Sequence, residues 1–103
     1  MPIVDAFRWT DAGTTTLSAT DSSQSTAVKA GSCVEVNNPS STVTIFLEHN
    51  ADNTTATANT TTSYPVMPGH CKIFRMPDGV TKLAYIGSAA GPTTFYITNG
   101  EGV

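Results

Sequence analysis

The chain has 103 residues, 39% of them hydrophobic and only 13% charged, so it has room for one ordinary domain and is poor in charge beside the roughly 25% of typical soluble domains. Its net charge is −3, and its cations stand singly at Arg8, Lys29, Lys72, Arg75 and Lys82; without a basic stripe, nucleic-acid binding is disfavoured. No apolar run approaches the roughly 20 residues of a membrane helix, and no basic n-region with an apolar h-region opens the chain, which reads as a protein used without export by the usual route.

Thr, Ser, Asn and Ala take the place of the missing charges. Thr is stiff at χ1 and suits a pleated surface, whereas the straight-chain helix formers Leu, Lys and Glu are scarce. No stretch places apolar residues at i, i+3, i+4 and i+7 over three turns, and period-two runs separated by turn signals recur instead.

Residues 1–13 open the chain with Ile3, Val4, Phe7 and Trp9. They read either as an edge strand docked on the core or as an N-terminal arm packed on another subunit. Thr14 to Thr20 alternates weakly, as an edge strand does, and Asp21 to Ser25 is a polar turn. Ala27 and Val28 begin a short segment that Gly31 ends. Cys33 to Asn37 is a clean strand with Val34 and Val36 inward and Glu35 outward. Asn38 to Ser41 forms a turn, for which Pro39 presets the geometry. Thr42 to Glu48 follows as a strand with Val43, Ile45 and Leu47 on one face, and the two strands are expected to pair as a hairpin.

His49 to Ser63 has no large apolar side chain and reads as a long polar loop, with or without a Thr-rich edge strand. Tyr64 to Met67 is a short segment around Pro65. Cys71 to Met76, Val80 to Ile86 and Thr93 to Thr98 are further strands, separated by Pro77-Asp78-Gly79 and by the flexible turn 87–92. The expectation is one all-β domain over residues 1–103: an antiparallel sandwich of about seven strands.

No catalytic constellation accompanies this pattern. There is no G-x-S-x-G elbow and no phosphate-binding glycine loop in a strand–loop–helix context. His49 and His70 read as solvated turn residues. Cys71 is beside His70, but neighbours on a strand point to opposite faces. Cys33 and Cys71 are too few and too far apart for a closed zinc site, and with no export signal they read as two reduced thiols packed as small apolar groups, a single disulfide being the alternative. Neither a cofactor nor a metal is expected. The acceptor patterns at Asn53 and Asn59 are read as chance matches in a Thr-rich loop. Tyr64, Tyr85, Phe95 and Tyr96 would suit a sugar platform, although core packing accounts for all four.

Four segments carry a likeness: MPIVDAFRWTDAGTTTL, GSCVEVNN, YPVMPGHCKIFRMPDGVTKLAYI and TTFYITNGEGV. In these the chain resembles small bacteriophage virion proteins that accompany major capsid proteins as cement or decoration proteins. The resemblance implies a sandwich, often of jelly-roll type, made in the host cytoplasm and seated on the outside of the head. It would bridge subunits of the major capsid protein and self-associate as a trimer or dimer. Ile3, Val4, Phe7, Arg8 and Trp9 are then the expected protein interface. A head–tail or tail accessory protein and a carbohydrate-binding adhesion module are the alternative readings.

Overall fold

The computed structural model describes residues 7–29, 31–50 and 57–101. They form two antiparallel four-stranded sheets with no helix. The strands are β1 (Arg8–Ala19), β2 (Gln24–Ala27), β3 (Cys33–Asn37), β4 (Ile45–Glu48), β5 (Tyr64–Val66), β6 (Cys71–Arg75), β7 (Lys82–Gly87) and β8 (Thr93–Glu101). The expected sandwich is present with eight strands; Gln24 and Ser25, at the end of the expected turn 21–25, already pair with β7 together with Thr26 and Ala27.

One sheet has the order β1-β8-β3-β6 and the other β2-β7-β4-β5. Strand 1 pairs with 8, 2 with 7, 3 with 6 and 4 with 5. This is one long hairpin whose tip lies between β4 and β5, rolled until β8 meets β3 and β7 meets β4. It is the strand order of a jelly roll, in which all pairs but the one at the tip join strands distant in sequence.

The roll overturns the expected hairpin between Cys33–Asn37 and Thr42–Glu48. Those strands lie in opposite sheets and face one another across the core. Val34, Val36, Val43, Ile45 and Leu47 are all buried, so the two strands supply inward side chains from opposite sheets to one core. The corner is fixed by Asn38, which has no exposed surface. Its Nδ2 donates to the carbonyls of Val43 (2.8 Å) and Val66 (3.0 Å), and its Oδ1 accepts from the Ser40 amide at 3.2 Å. β4 begins later than expected because side chains take the amides before it. Val43 donates to Ser40 Oγ at 2.9 Å and Thr44 to Ser88 Oγ at 3.0 Å.

The core joins Val34, Val36, Phe95 and Ile97 of one sheet to Ile45, Leu47, Val66, Leu83 and Tyr85 of the other. Tyr85 and Phe95 meet edge to face with centroids 5.1 Å apart. The buried Tyr85 phenol donates to Gln24 Oε1 at 3.0 Å, and burial pushes its pKa up.

Residues 8–13, half of the proposed arm, belong to β1. Arg8 pairs with Glu101 and Trp9 with Gly100. The ladder breaks between Trp9 and Thr14, where Thr10 to Gly13 oppose the single residue Asn99. Ala12 takes a left-handed φ of 56° there. A Cβ at Gly13 would lie 2.8 Å from the Thr10 carbonyl oxygen, so the bulge needs glycine at that point.

The polar stretch also differs from a plain exposed loop. Ala58 is buried against Ala84 and Ile86, with Phe46 beside them, on the outer side of the β2-β7-β4-β5 sheet. The Ala58 amide donates to Ser23 Oγ at 2.9 Å, and the Asn59 amide to Ser63 Oγ at 3.0 Å. Residues 57–63 contain no strand. The remainder of the loop, 51–56, lies outside the described residues.

Candidate functional site

Strand alternation assigns the open face of the β1-β8-β3-β6 sheet. Val34, Val36, Phe95, Ile97 and Phe74 point inward, so Glu35, Asn37, Tyr96, Thr98, Cys71 and Ile73 point outward. Trp9 joins this outward set through its pairing with Gly100. Trp9 is 73% exposed and Ile73 39%. With Phe7, Thr14, Glu35 and Thr98 these two line a shallow depression on the face.

Each member of the expected interface can be placed. Trp9 stands out from the sheet. Arg8 is exposed at the end of the β1–β8 ladder, opposite Glu101. Phe7 is half-buried, and its ring lies where a Cβ on Gly100 would be, 2.6 Å from that position. Gly100 pairs with Cys33, and Cys33 is buried although its position faces outward. The glycine thus lets Phe7 settle over the end of the sheet and fix the start of β1. Ile3 and Val4 lie outside the described residues.

Chemically the face is mostly uncharged, with Glu35 in the depression and Arg75 at the outward register position opposite Cys33. Thr14 and Thr98 join their hydroxyls at 2.8 Å across the β1–β8 pair. Cys33 and Cys71 are not joined as a disulfide, and Cys71 is exposed, which corrects the expectation of two packed thiols. Its partner is Glu35 rather than the neighbouring His70. Partial burial first, then the hydrogen bond to Glu35 and the negative charge of that carboxylate, push the thiol pKa up. A raised pKa keeps the thiol protonated and makes it a poor nucleophile. His49 and His70 are exposed. Among the described residues no group of three or more His, Cys, Asp or Glu could hold a metal ion, and no helix is long and apolar enough to cross a membrane.

The aromatic residues separate into two classes. Tyr85 and Phe95 lie in the core and offer no platform, whereas Tyr96 is 36% and Tyr64 50% exposed. Tyr64 contributes to a second concavity that the residue pattern did not reveal. This one opens between the edge strands β5 and β6, with Tyr64 edge to face on Phe74 at 5.2 Å. It could not be read from the sequence because Tyr64, Phe74, Leu83 and Glu48 come from four strands that meet only in the rolled topology.

No family model, no curated protein and no solved structure matches the chain.

Proposed function

We propose that the chain is a structural virion protein that decorates and stabilises a bacteriophage capsid by bridging subunits of the major capsid protein. The observation that carries the reading is Trp9, a large apolar ring held out on a charge-poor sheet face, at one side of a shallow depression that Ile73 also lines. Exposed apolar groups of this size, set on fixed elements, are characteristic of protein interfaces. The likeness of four segments to decoration proteins names the partner. The jelly-roll order agrees with it by fold-level analogy alone, since viral capsid and lectin domains share that order.

The test uses particles lacking the chain, to which wild-type or Trp9→Ala protein is added before a heat or osmotic challenge. Wild type should restore survival. Losing the burial of one indole, roughly 1.5–3 kcal/mol, should weaken attachment by about tenfold to a hundredfold. Particles that survive equally well without the chain would overturn the proposal, as would unchanged attachment of the Trp9→Ala variant.

A further inference from the structure

The mouth between β5 and β6 is a recess of about 510 Å³, within the usual range of small-ligand sites. Its floor is apolar: Leu47, Met76 and Leu83 from the core, with Phe74 and the half-exposed Tyr64 as an aromatic wall. One side of its rim is polar, formed by Glu48, His49, Thr62 and Ser63.

The hydrogen bonds of that rim determine what it offers a ligand. A hydroxyl has one proton to donate. Ser63 gives its proton to Glu48 Oε1 at 3.0 Å, and Thr62 gives its proton to Asn59 Oδ1 at 2.9 Å. The exposed Thr62 hydroxyl therefore has only acceptor lone pairs left to offer, and the buried Ser63 hydroxyl, which also accepts from the Asn59 amide, has no proton left to donate; beside them is the half-buried Glu48 carboxylate. None of the five Lys and Arg residues is on the recess lining. The one carboxylate on that lining is Glu48. An acceptor-rich, negatively charged rim over an apolar, aromatic floor is complementary to a donor-rich cation on an apolar stem.

We propose that this recess receives a lysine or arginine side chain of a partner protein. The stem lies on Tyr64 and Phe74, and the charged head reaches the Glu48 carboxylate. The site is separate from the Trp9 face, and the inference does not depend on the virion reading.

The probe is Nα-acetyl-arginine methylamide, titrated into the folded chain and followed by two-dimensional amide NMR. Saturable shifts should be confined to residues 47–49, 62–65 and 74. The neutral isostere Nα-acetyl-citrulline methylamide should bind about tenfold more weakly, and Glu48→Gln should weaken the arginine probe to a similar extent. Glu48→Gln retains an acceptor for Ser63, and its amide spectrum reports whether it is folded; the citrulline comparison needs no variant. Equal binding of the two probes would overturn the proposal. So would the absence of shifts at the recess, or shifts caused there by a methyl hexoside but not by the cation.

Discussion

The Asn38 side chain donates to the Val66 carbonyl at 3.0 Å, a hydrogen bond that ties the end of β3 in one sheet to β5 in the other. The same amide reaches Val43 O at 2.8 Å, and the Asn38 backbone donates to His70 O at 3.0 Å and accepts from the Gly69 amide at 2.9 Å. One buried residue thus satisfies carbonyls on both sides of a corner that water does not reach. Asn38→Ala would leave those carbonyls without donors, each at about 1–3 kcal/mol. The expected loss in chemical denaturation is roughly 2–4 kcal/mol. Asn38→Asp should be at least as damaging, because an ionised carboxylate accepts but does not donate. A loss below about 0.5 kcal/mol, the range of an ordinary surface site, would show that the corner is held some other way.

Much of the strand content is legible in the sequence because burial leaves a period-two trace. Val34 and Val36 alternate with Glu35, and the strand they form spans Cys33–Asn37 as expected. Ile45 and Leu47 alternate around Phe46 in the same way. What the alternation does not encode is the neighbour. The corner Asn38-Pro39-Ser40-Ser41 has the composition of a hairpin turn, yet it carries the chain between sheets, because the decisive hydrogen bonds run from Asn38 to Val66, 28 residues on. The open face was partly legible for the same reason. Trp9 stands out in the sequence as a large apolar group near the N-terminus, but its register opposite Gly100 and the depression it shares with Ile73 depend on pairings across most of the chain.

Trp9 is the only tryptophan, which makes it a reporter of its own surface. At 73% exposure its emission should resemble that of a solvated indole, and acrylamide should quench it readily. Unfolding should move the emission little. Attachment to a particle should shift it to the blue and protect it from quencher. Trp9→Ala should change the stability of the isolated chain by no more than about 0.5 kcal/mol. A blue-shifted, protected indole in the free chain would contradict the open face.

The two thiols should react very differently. Cys33 is buried and should resist alkylation until the chain unfolds, while Cys71 is exposed and should react in the folded state. Its reaction should be slower than that of a free thiol near pH 8, since burial and Glu35 raise its pKa above the ordinary 9.0. Glu35→Gln removes the carboxylate charge and should accelerate alkylation, while the part of the shift that comes from burial remains. The sign for stability follows from the same shift. A thiol with a raised folded pKa contributes fully below pH 9.0 and loses that contribution as pH rises through the folded value. Equal alkylation rates for Cys33 and Cys71 in the folded chain would refute the assignment.

The bulge and the glycine opposite Trp9 separate the fixing of β1 from the stability of the core. Ala12 holds a φ of 56°, which costs a residue with a Cβ about 1–2 kcal/mol. Ala12→Gly removes that strain but adds unfolded-chain entropy, roughly 0.5–1 kcal/mol, so a net gain of up to about 1 kcal/mol is expected in thermal or urea unfolding. Gly100→Ala acts in the opposite direction, and locally. Its Cβ would collide with the Arg8 carbonyl oxygen and with the Phe7 ring, so the start of β1 has to lift. Hydrogen exchange should show lost protection at Arg8 and Trp9. The ladder from Thr14 to Ala19 should persist, because four bulged residues uncouple it from that end. A global loss as large as that of a core truncation, about 3–5 kcal/mol for Phe95→Ala, would mean that the start of β1 is part of the core after all. With the core intact, Gly100→Ala keeps the indole but removes its rigid mount. Attachment weakened as much as by Trp9→Ala would then show that the fixed position of the ring, and not only its apolar area, is what the partner reads.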